Sequence, residues 1–214
     1  MKAVVYFGSR EIYPDIKRSI NSLLAHTKVD RLFVLAEDDK LDVPAEVINV
    51  SKQEFFYPDG PNYNTKWKMF GLIRAAMPKI FPDLDTILSL DADTIILDDI
   101  SGLFEVDLGL NYFAAVREPY LSTQRPYYNT GVCLLNLKLM RQTGMDDILI
   151  SALNTDYFRY VSQDAMNYYC DSIMDLPCEY NQSMFTSFSF APKIRHYANE
   201  TNWRGLPEVK RWDV

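Results

Sequence analysis

A chain of 214 residues has room for one domain with a sizeable core, and 48% hydrophobic with 14% aromatic residues excludes a disordered segment. Its 22 basic and 29 acidic residues leave a net charge of −7, which repels phosphate backbones and argues against nucleic acid as a general partner. A small anionic ligand stays compatible with that surface where local cations or a metal ion offset the charge.

Three cysteines, Cys133, Cys170 and Cys178, make an odd count without CxxC spacing. They read as reduced thiols in a cytosol-like compartment. No apolar run approaches the roughly 20 residues of a membrane span, and no signal peptide is visible after Met1. The expected location is cytoplasmic, so the sequons at 181–183 and 199–201 read as chance matches.

In chain order, "AVVYFG" (3–8) predicts a buried strand ending in a turn at Gly8. A helix is predicted over 13–27, with Ile16, Ile20, Leu23 and Leu24 on one side. Strands follow at 31–37 and 45–50, then a loop over 51–65 rich in Pro, Gly and Asn. A helix over 65–78 is expected to be capped at Asn64 or Thr65 and stopped by Pro78. Further strands are predicted at 85–91, 112–118 and 130–137, and helices at 138–153 and 163–171. This alternation argues for an α/β sheet with helices on both faces, where ligands bind at the carboxyl ends of strands.

Asp91 sits at such an end. "LSLDADTIILDDI" (88–100) carries four acids, Asp91, Asp93, Asp98 and Asp99. Two carboxylates at i and i+2 converge where the chain bends, and Ala92 leaves room for a ligand against the backbone. Two hard oxygen donors suit Mg²⁺ or Mn²⁺, and a divalent ion relieves their repulsion. An isolated DxD caps a turn more often than it binds metal, so the surroundings decide. Asp98 and Asp99 are expected to cap the turn that follows.

Those surroundings resemble glycosyltransferase family 8, the glycogenin-like retaining enzymes of GT-A fold. "LSLDADTIILDDI", "YYNTGVCLLNL" (127–137), "SQDAMN" (162–167), "LPCEYNQ" (176–182) and "IRHYANETNW" (194–203) resemble that family's motifs in order. The resemblance implies one GT-A domain over 1–214, a mixed central sheet flanked by helices, either whole or one domain of a longer polypeptide. It implies transfer of a sugar from a UDP-sugar donor to a hydroxyl of a glycan or other acceptor, with retention of configuration. Short proteins of this type occur in bacteria and in large DNA viruses, and a viral one would work in host cytoplasm.

Residue by residue, the resemblance makes Asp91, Asp93 and His196 the metal ligands. The imidazole shifts the expected ion to Mn²⁺, with Mg²⁺ as the alternative. Tyr13 would stack on the uracil, in the nucleotide-binding segment that begins at Gly8. Arg74 and Lys66 are both expected near the donor, about 12 Å apart along a helix. Asn129, Thr130 and Gly131 would line the donor sugar, with Gly131 permitting close backbone approach. Gln163 would lie under the anomeric carbon, Asp164 would hydrogen-bond sugar hydroxyls, and Asn181 would point towards the acceptor.

Two motifs depart from the family pattern. Ser162 replaces an acid, which leaves the donor sugar open, and Asn202 stands where a diphosphate-binding lysine is expected. Arg204 is the candidate substitute. Two other readings compete. The acidic pair resembles the DxDx(T/V) motif of haloacid-dehalogenase-type phosphatases, although Ile95 occupies its fifth position. The departures also fit a catalytically silent sugar-nucleotide-binding module.

Overall fold

The apolar run Ala3–Gly8 forms β1 and is buried at every position. Both faces of the strand are covered, hence a sequence without polar alternation. In the computed structural model, which describes residues 1–121 and 125–213, β1 lies within a seven-stranded sheet. β2 (Arg31–Ala36) and β4 (Thr86–Leu90) flank it in parallel, and β3 (Glu46–Asn49) extends the sheet beyond β2. On the far side β7 (Tyr128–Asn136) runs antiparallel to β4, and β6 (Phe113–Arg117) antiparallel to β7. β8 (Ile173–Asp175) closes that edge, parallel to β6. β5 (Thr94–Ile96) and β9 (Ile194–His196) pair antiparallel in a small second sheet.

Alternation along the strands divides the core. Val4, Tyr6 and Val34 pack against Ile16, Ile20 and Leu23 of α1 (Tyr13–His26). Leu24, expected on that face, is 42% exposed. Val5, Phe7, Phe33 and Leu35 enter the opposite cluster. There they meet α3 (Leu137–Thr143), α4 (Met145–Thr155) and α5 (Val161–Tyr169).

The helix predicted over 65–78 does not form as one rod. Two 3₁₀ turns, Lys68–Gly71 and Ile73–Ala76, precede the short α2 (Met77–Ile80). Lys68 has a left-handed φ of 52°. Gly71 packs so closely that a Cβ there would lie 2.9 Å from both Trp67 and Val161 side-chain carbons. Pro78 lies in the first turn of α2, where its missing N–H costs nothing, so the helix begins around it instead of stopping there. Neither predicted cap operates: Asn64 donates to the Pro58 carbonyl, and the buried Thr65 hydroxyl has no partner among the described residues. The helix predicted over 138–153 is two helices, divided by Gly144 at φ 70°. The short α6 (Pro207–Lys210) was not foreseen.

Asp98 and Asp99 behave as expected. Asp99 Oδ1 accepts from the Ser101 N–H (3.0 Å) and the Thr27 hydroxyl (3.1 Å), and Asp98 Oδ1 accepts from the Asp99 N–H. All three cysteines are free, and burial pushes the Cys133 thiol up to about 12. Among the described residues no helix is long and apolar enough to cross a membrane.

Ser19 of α1 ties the core to β5. Its hydroxyl lies 3.0 Å from the Tyr6 hydroxyl and 2.9 Å from Thr94 Oγ1, all three buried. Ser19→Ala leaves both partners short of a hydrogen bond. Urea denaturation is expected to show a loss of about 1–3 kcal/mol.

Candidate metal and donor site

β4 ends at Leu90, and the next three residues reverse the chain into β5. The Asp91 N–H donates to the Gly131 carbonyl (2.8 Å), and Thr94 Oγ1 donates to the Asp91 carbonyl (2.8 Å). These bonds hold the bend at Ala92. β5 then pairs with β9 so that Thr94 lies opposite His196, and the Tyr197 N–H donates to the Asp93 carbonyl (2.9 Å). A histidine far along the chain thereby reaches the acidic pair. His196 Nε2 lies 3.2 Å from Asp93 Oδ1 and 3.9 Å from Asp91 Oδ2.

Gly131 makes this possible. Pairing of β6 with β7 shifts from Ala115 opposite Cys133 to Val116 opposite Asn129, so residues 130–132 bulge. The bulge lays Gly131 flat against the imidazole, where a Cβ would sit 2.1 Å from His196 Cε1. The close backbone approach expected at Gly131 is therefore to His196.

Arg74 is buried beside the pair. Its Nη2 donates to Asp91 Oδ1 (2.6 Å), Nη1 to Thr130 Oγ1 (3.2 Å) and to Ser162 Oγ (3.5 Å), and Nε to Ser89 Oγ (3.2 Å). Ser162, the residue standing in place of an acid, faces this guanidinium.

Behind His196 lies a file of buried polar groups. His196 Nδ1 meets Asn181 Oδ1 (2.9 Å), Asn181 Nδ2 donates to Asn129 Oδ1 (2.9 Å), and Asn129 Nδ2 donates to Glu118 Oε1 (2.6 Å). Asn181, expected to face an acceptor, is fully buried in this file. Gln163 reaches the same Glu118 oxygen through Nε2 (3.3 Å), while its Oε1 accepts from the Thr130 N–H (3.0 Å). Glu118 was not singled out from sequence. It directly follows β6, two strands from the strand that leads into Asp91, and its place just past a strand's carboxyl end is the available signal.

A cavity of about 1270 Å³ opens over these groups. Asp91, Ala92, Asp93, His196, Arg74 and Gln163 line it. Asn129 and Glu118 do so from behind, and Lys66 and Arg204 are on its wall too. Arg204 is held by Asp15 through Nε (2.8 Å) and Nη2 (2.6 Å). Lys66 is exposed, its ammonium 4.3 Å from the Trp67 ring centroid. Because the helix over 65–78 is broken, the spacing expected between Lys66 and Arg74 does not apply.

Besides Asn181, four predicted residues are not on the cavity wall. Gly8 packs under Ile12, and Gly131 under His196. The buried Tyr13 accepts from the Glu37 (3.0 Å) and Asp38 (3.2 Å) N–H groups. Asp164 accepts from the Tyr127 hydroxyl and from the Tyr160 N–H (2.8 Å) at the start of α5. Beside it Val161, a β-branched residue, is held at φ 42°.

The family pattern described as Glycosyl transferase family 8 matches residues 15–203. The chain belongs to this family. A probable glycosyl transferase, Gly, of Streptococcus gordonii is 26% identical over 239 residues, covering 99% of this chain and 33% of its own length. Glycosyltransferase GlyE of Streptococcus pneumoniae serotype 4 is 30% identical over 152 residues, 64% of this chain and 36% of its own. The chain thus spans about a third of these relatives. The crystal structure of GlyE superposes with a TM-score of 0.74 at 21% identity, covering 99% of this chain and 60% of that one. A galactosyltransferase, LgtC, crystallised with donor and acceptor sugar analogs, gives 0.72 at 15% identity, covering 98% and 93%. The fold is GT-A.

Electrostatics binds Asp93 and His196 to each other. Burial disfavours charge on both partners, yet His196 holds the Asp93 carboxyl below its ordinary 3.8. Asp93 in turn raises His196 above 6.5, with Asp91 and Glu118 adding to the pull. In the metal-free protein this contribution to stability is complete below the ordinary imidazole value and is lost as pH rises through the elevated one. At the acid end it disappears as pH falls through the depressed Asp93 value. Urea denaturation in a chelating buffer at pH 6 and pH 9 is expected to show this decline, and Asp93→Asn to flatten it.

Proposed function

We propose that this site is the donor site of a metal-dependent retaining glycosyltransferase. It would take a UDP-sugar with Mn²⁺ and pass the sugar to a hydroxyl of a glycan. The observation carrying this reading is the convergence of Asp91, Asp93 and His196, which offer one donor atom each within 4.8 Å of one another, in a chain of this family. Two carboxylate oxygens and one imidazole nitrogen suit Mn²⁺ better than Mg²⁺. Asp91, Asp93 and His196 would hold the ion, which when bound supplies Lewis-acid stabilisation of the charge on the departing diphosphate.

The rest follows from the chain's own groups. Arg74, fixed by four hydrogen bonds, keeps Asp91 oriented and sets a permanent positive charge under the diphosphate. Arg204 takes the role of the absent motif lysine at the cavity wall, already aimed by Asp15. Lys66 offers an exposed cation at the rim. The base would lie by Phe7 and Ile12, which line the cavity next to the Gly8–Tyr13 turn. Gln163 presents a held amide, a poor nucleophile, so a front-face displacement is proposed. The bond from the anomeric carbon to the phosphate oxygen breaks as the bond to the acceptor oxygen forms, and the acceptor proton passes to that phosphate oxygen. A trapped glycosyl-enzyme adduct would contradict this route.

The mouth of the cavity carries exposed aromatic rings, Trp67, Tyr120, Tyr157 and Tyr160, at 38%, 83%, 69% and 37% exposure. Apolar rings beside a polar cleft mark a ligand-binding groove, and flat rings match the faces of sugars.

Calorimetry with UDP, GDP and CMP, with and without Mn²⁺, is expected to show metal-dependent binding of UDP alone. Asp93→Ala should abolish it, and unchanged affinity would defeat the metal assignment. Slow metal-dependent release of sugar from one member of a UDP-sugar panel separates an enzyme from a silent binder. For the acceptor side, Tyr157→Ala is expected to raise the acceptor KM several-fold while leaving UDP affinity unaltered.

A further inference from the structure

We propose that Glu118, Asn129 and Asn181 form a positioning relay that fixes which nitrogen of His196 faces the acidic pair. This rests on the reading of His196 as a metal ligand, and it assigns a role to three residues outside the ligand set.

Amide orientations are normally ambiguous, because oxygen and nitrogen occupy similar space. Here two backbone groups remove the ambiguity. The Gly131 N–H can only donate, and it points at Asn129 Oδ1 (3.0 Å). The NH₂ of Asn129 must then face away, onto Glu118 Oε1 at 2.6 Å. Asn129 Oδ1 also meets the Asn181 amide, which must present its NH₂ there (2.9 Å). That leaves Asn181 Oδ1 against His196 Nδ1 at 2.9 Å, and an oxygen acceptor requires a proton on Nδ1.

Nε2 is consequently the nitrogen free to bind a cation, and it is the one 3.2 Å from Asp93. All four side chains are at most 4% exposed, so water cannot substitute for a lost partner at little cost. The adjacent N–H of the same bulge, Thr130, fixes Gln163 in the same way, with its NH₂ on the same Glu118 oxygen. One buried carboxylate thus anchors both the imidazole and the amide beneath the proposed reacting carbon.

The test uses two readouts in parallel, Mn²⁺ affinity without substrate and the ¹H–¹⁵N pattern of the imidazoles. The chain has two histidines, so His26→Gln identifies the His196 signals. Spectra are taken in chelator above the imidazolium titration. Wild type is expected to show protonated Nδ1 and bare Nε2. Asn181→Leu should mix or invert that pattern and weaken Mn²⁺ by about 10–100-fold, the range for lost outer partners of metal-bound histidines.

Asn181→Asp keeps an acceptor facing Nδ1 and should preserve the tautomer, with affinity within about tenfold of wild type. A relay that does not exist would leave the Leu variant unchanged in both readouts, or would let the Asp variant lose the tautomer. If Asn181→Leu fails to fold, Asn129→Leu replaces it, removing the acceptor that orients the Asn181 amide, with the same expected tautomer change. Should wild type bind no Mn²⁺, the metal reading falls on its own and the tautomer pattern still decides the relay.

Discussion

The absence of one methylene, at Gly131, holds the site together. The imidazole of His196 occupies the volume a Cβ would need, and the ring must lie there for its outer nitrogen to reach Asp93. That contact exists because β7 carries residues 130–132 out of register with β6. The bulge does several jobs at once. Its glycine makes space, its carbonyl receives the Asp91 N–H, and its two N–H groups orient the Asn129 and Gln163 amides. A regular ladder would spend those groups on β6 and leave the side chains unanchored.

Charge compensation is layered around this point. Asp91 has Arg74 on one side, and Asp93 has His196 on the other. Two carboxylates can therefore stand close together with no ion present, which a bare pair in a half-buried turn could not do at modest cost. Glu118 stays behind them, its pKa raised by burial and moderated by the amides that donate to it. The chain's overall acidity is thus matched by a local arrangement in which each buried carboxylate meets a fixed donor.

Much of this was readable from the chain, and the unreadable parts share a cause. The long strands are legible because burial on both faces demands predominantly apolar runs, as in β1. Asp98 and Asp99 could be separated from the first pair because turn capping is local chemistry. The segment 65–78 misled because its helical composition is overridden by a left-handed Lys68 and by the tight contact of Gly71 with Val161. β5, β8 and β9, three residues each, carry too little pattern to register alone. Asp91 and Asp93 stand out by their spacing at a strand's end and His196 only through the family's motifs, whereas Glu118 belongs to no quoted motif. Asn181 was seen but misplaced, since its partners come from β7 and β9 and no local spacing encodes them.

β9 pairs with β5 across roughly a hundred residues of intervening chain. A ribosome that has released only the first two-thirds of these residues has exposed both aspartates and the guanidinium, but not the imidazole of His196. Loop closure over that distance is slow to be rewarded during folding. The acidic turn therefore waits, with Arg74 beside Asp91, until β9 docks. Assembly of the Asp91, Asp93 and His196 cluster thus waits on the pairing of β5 with β9.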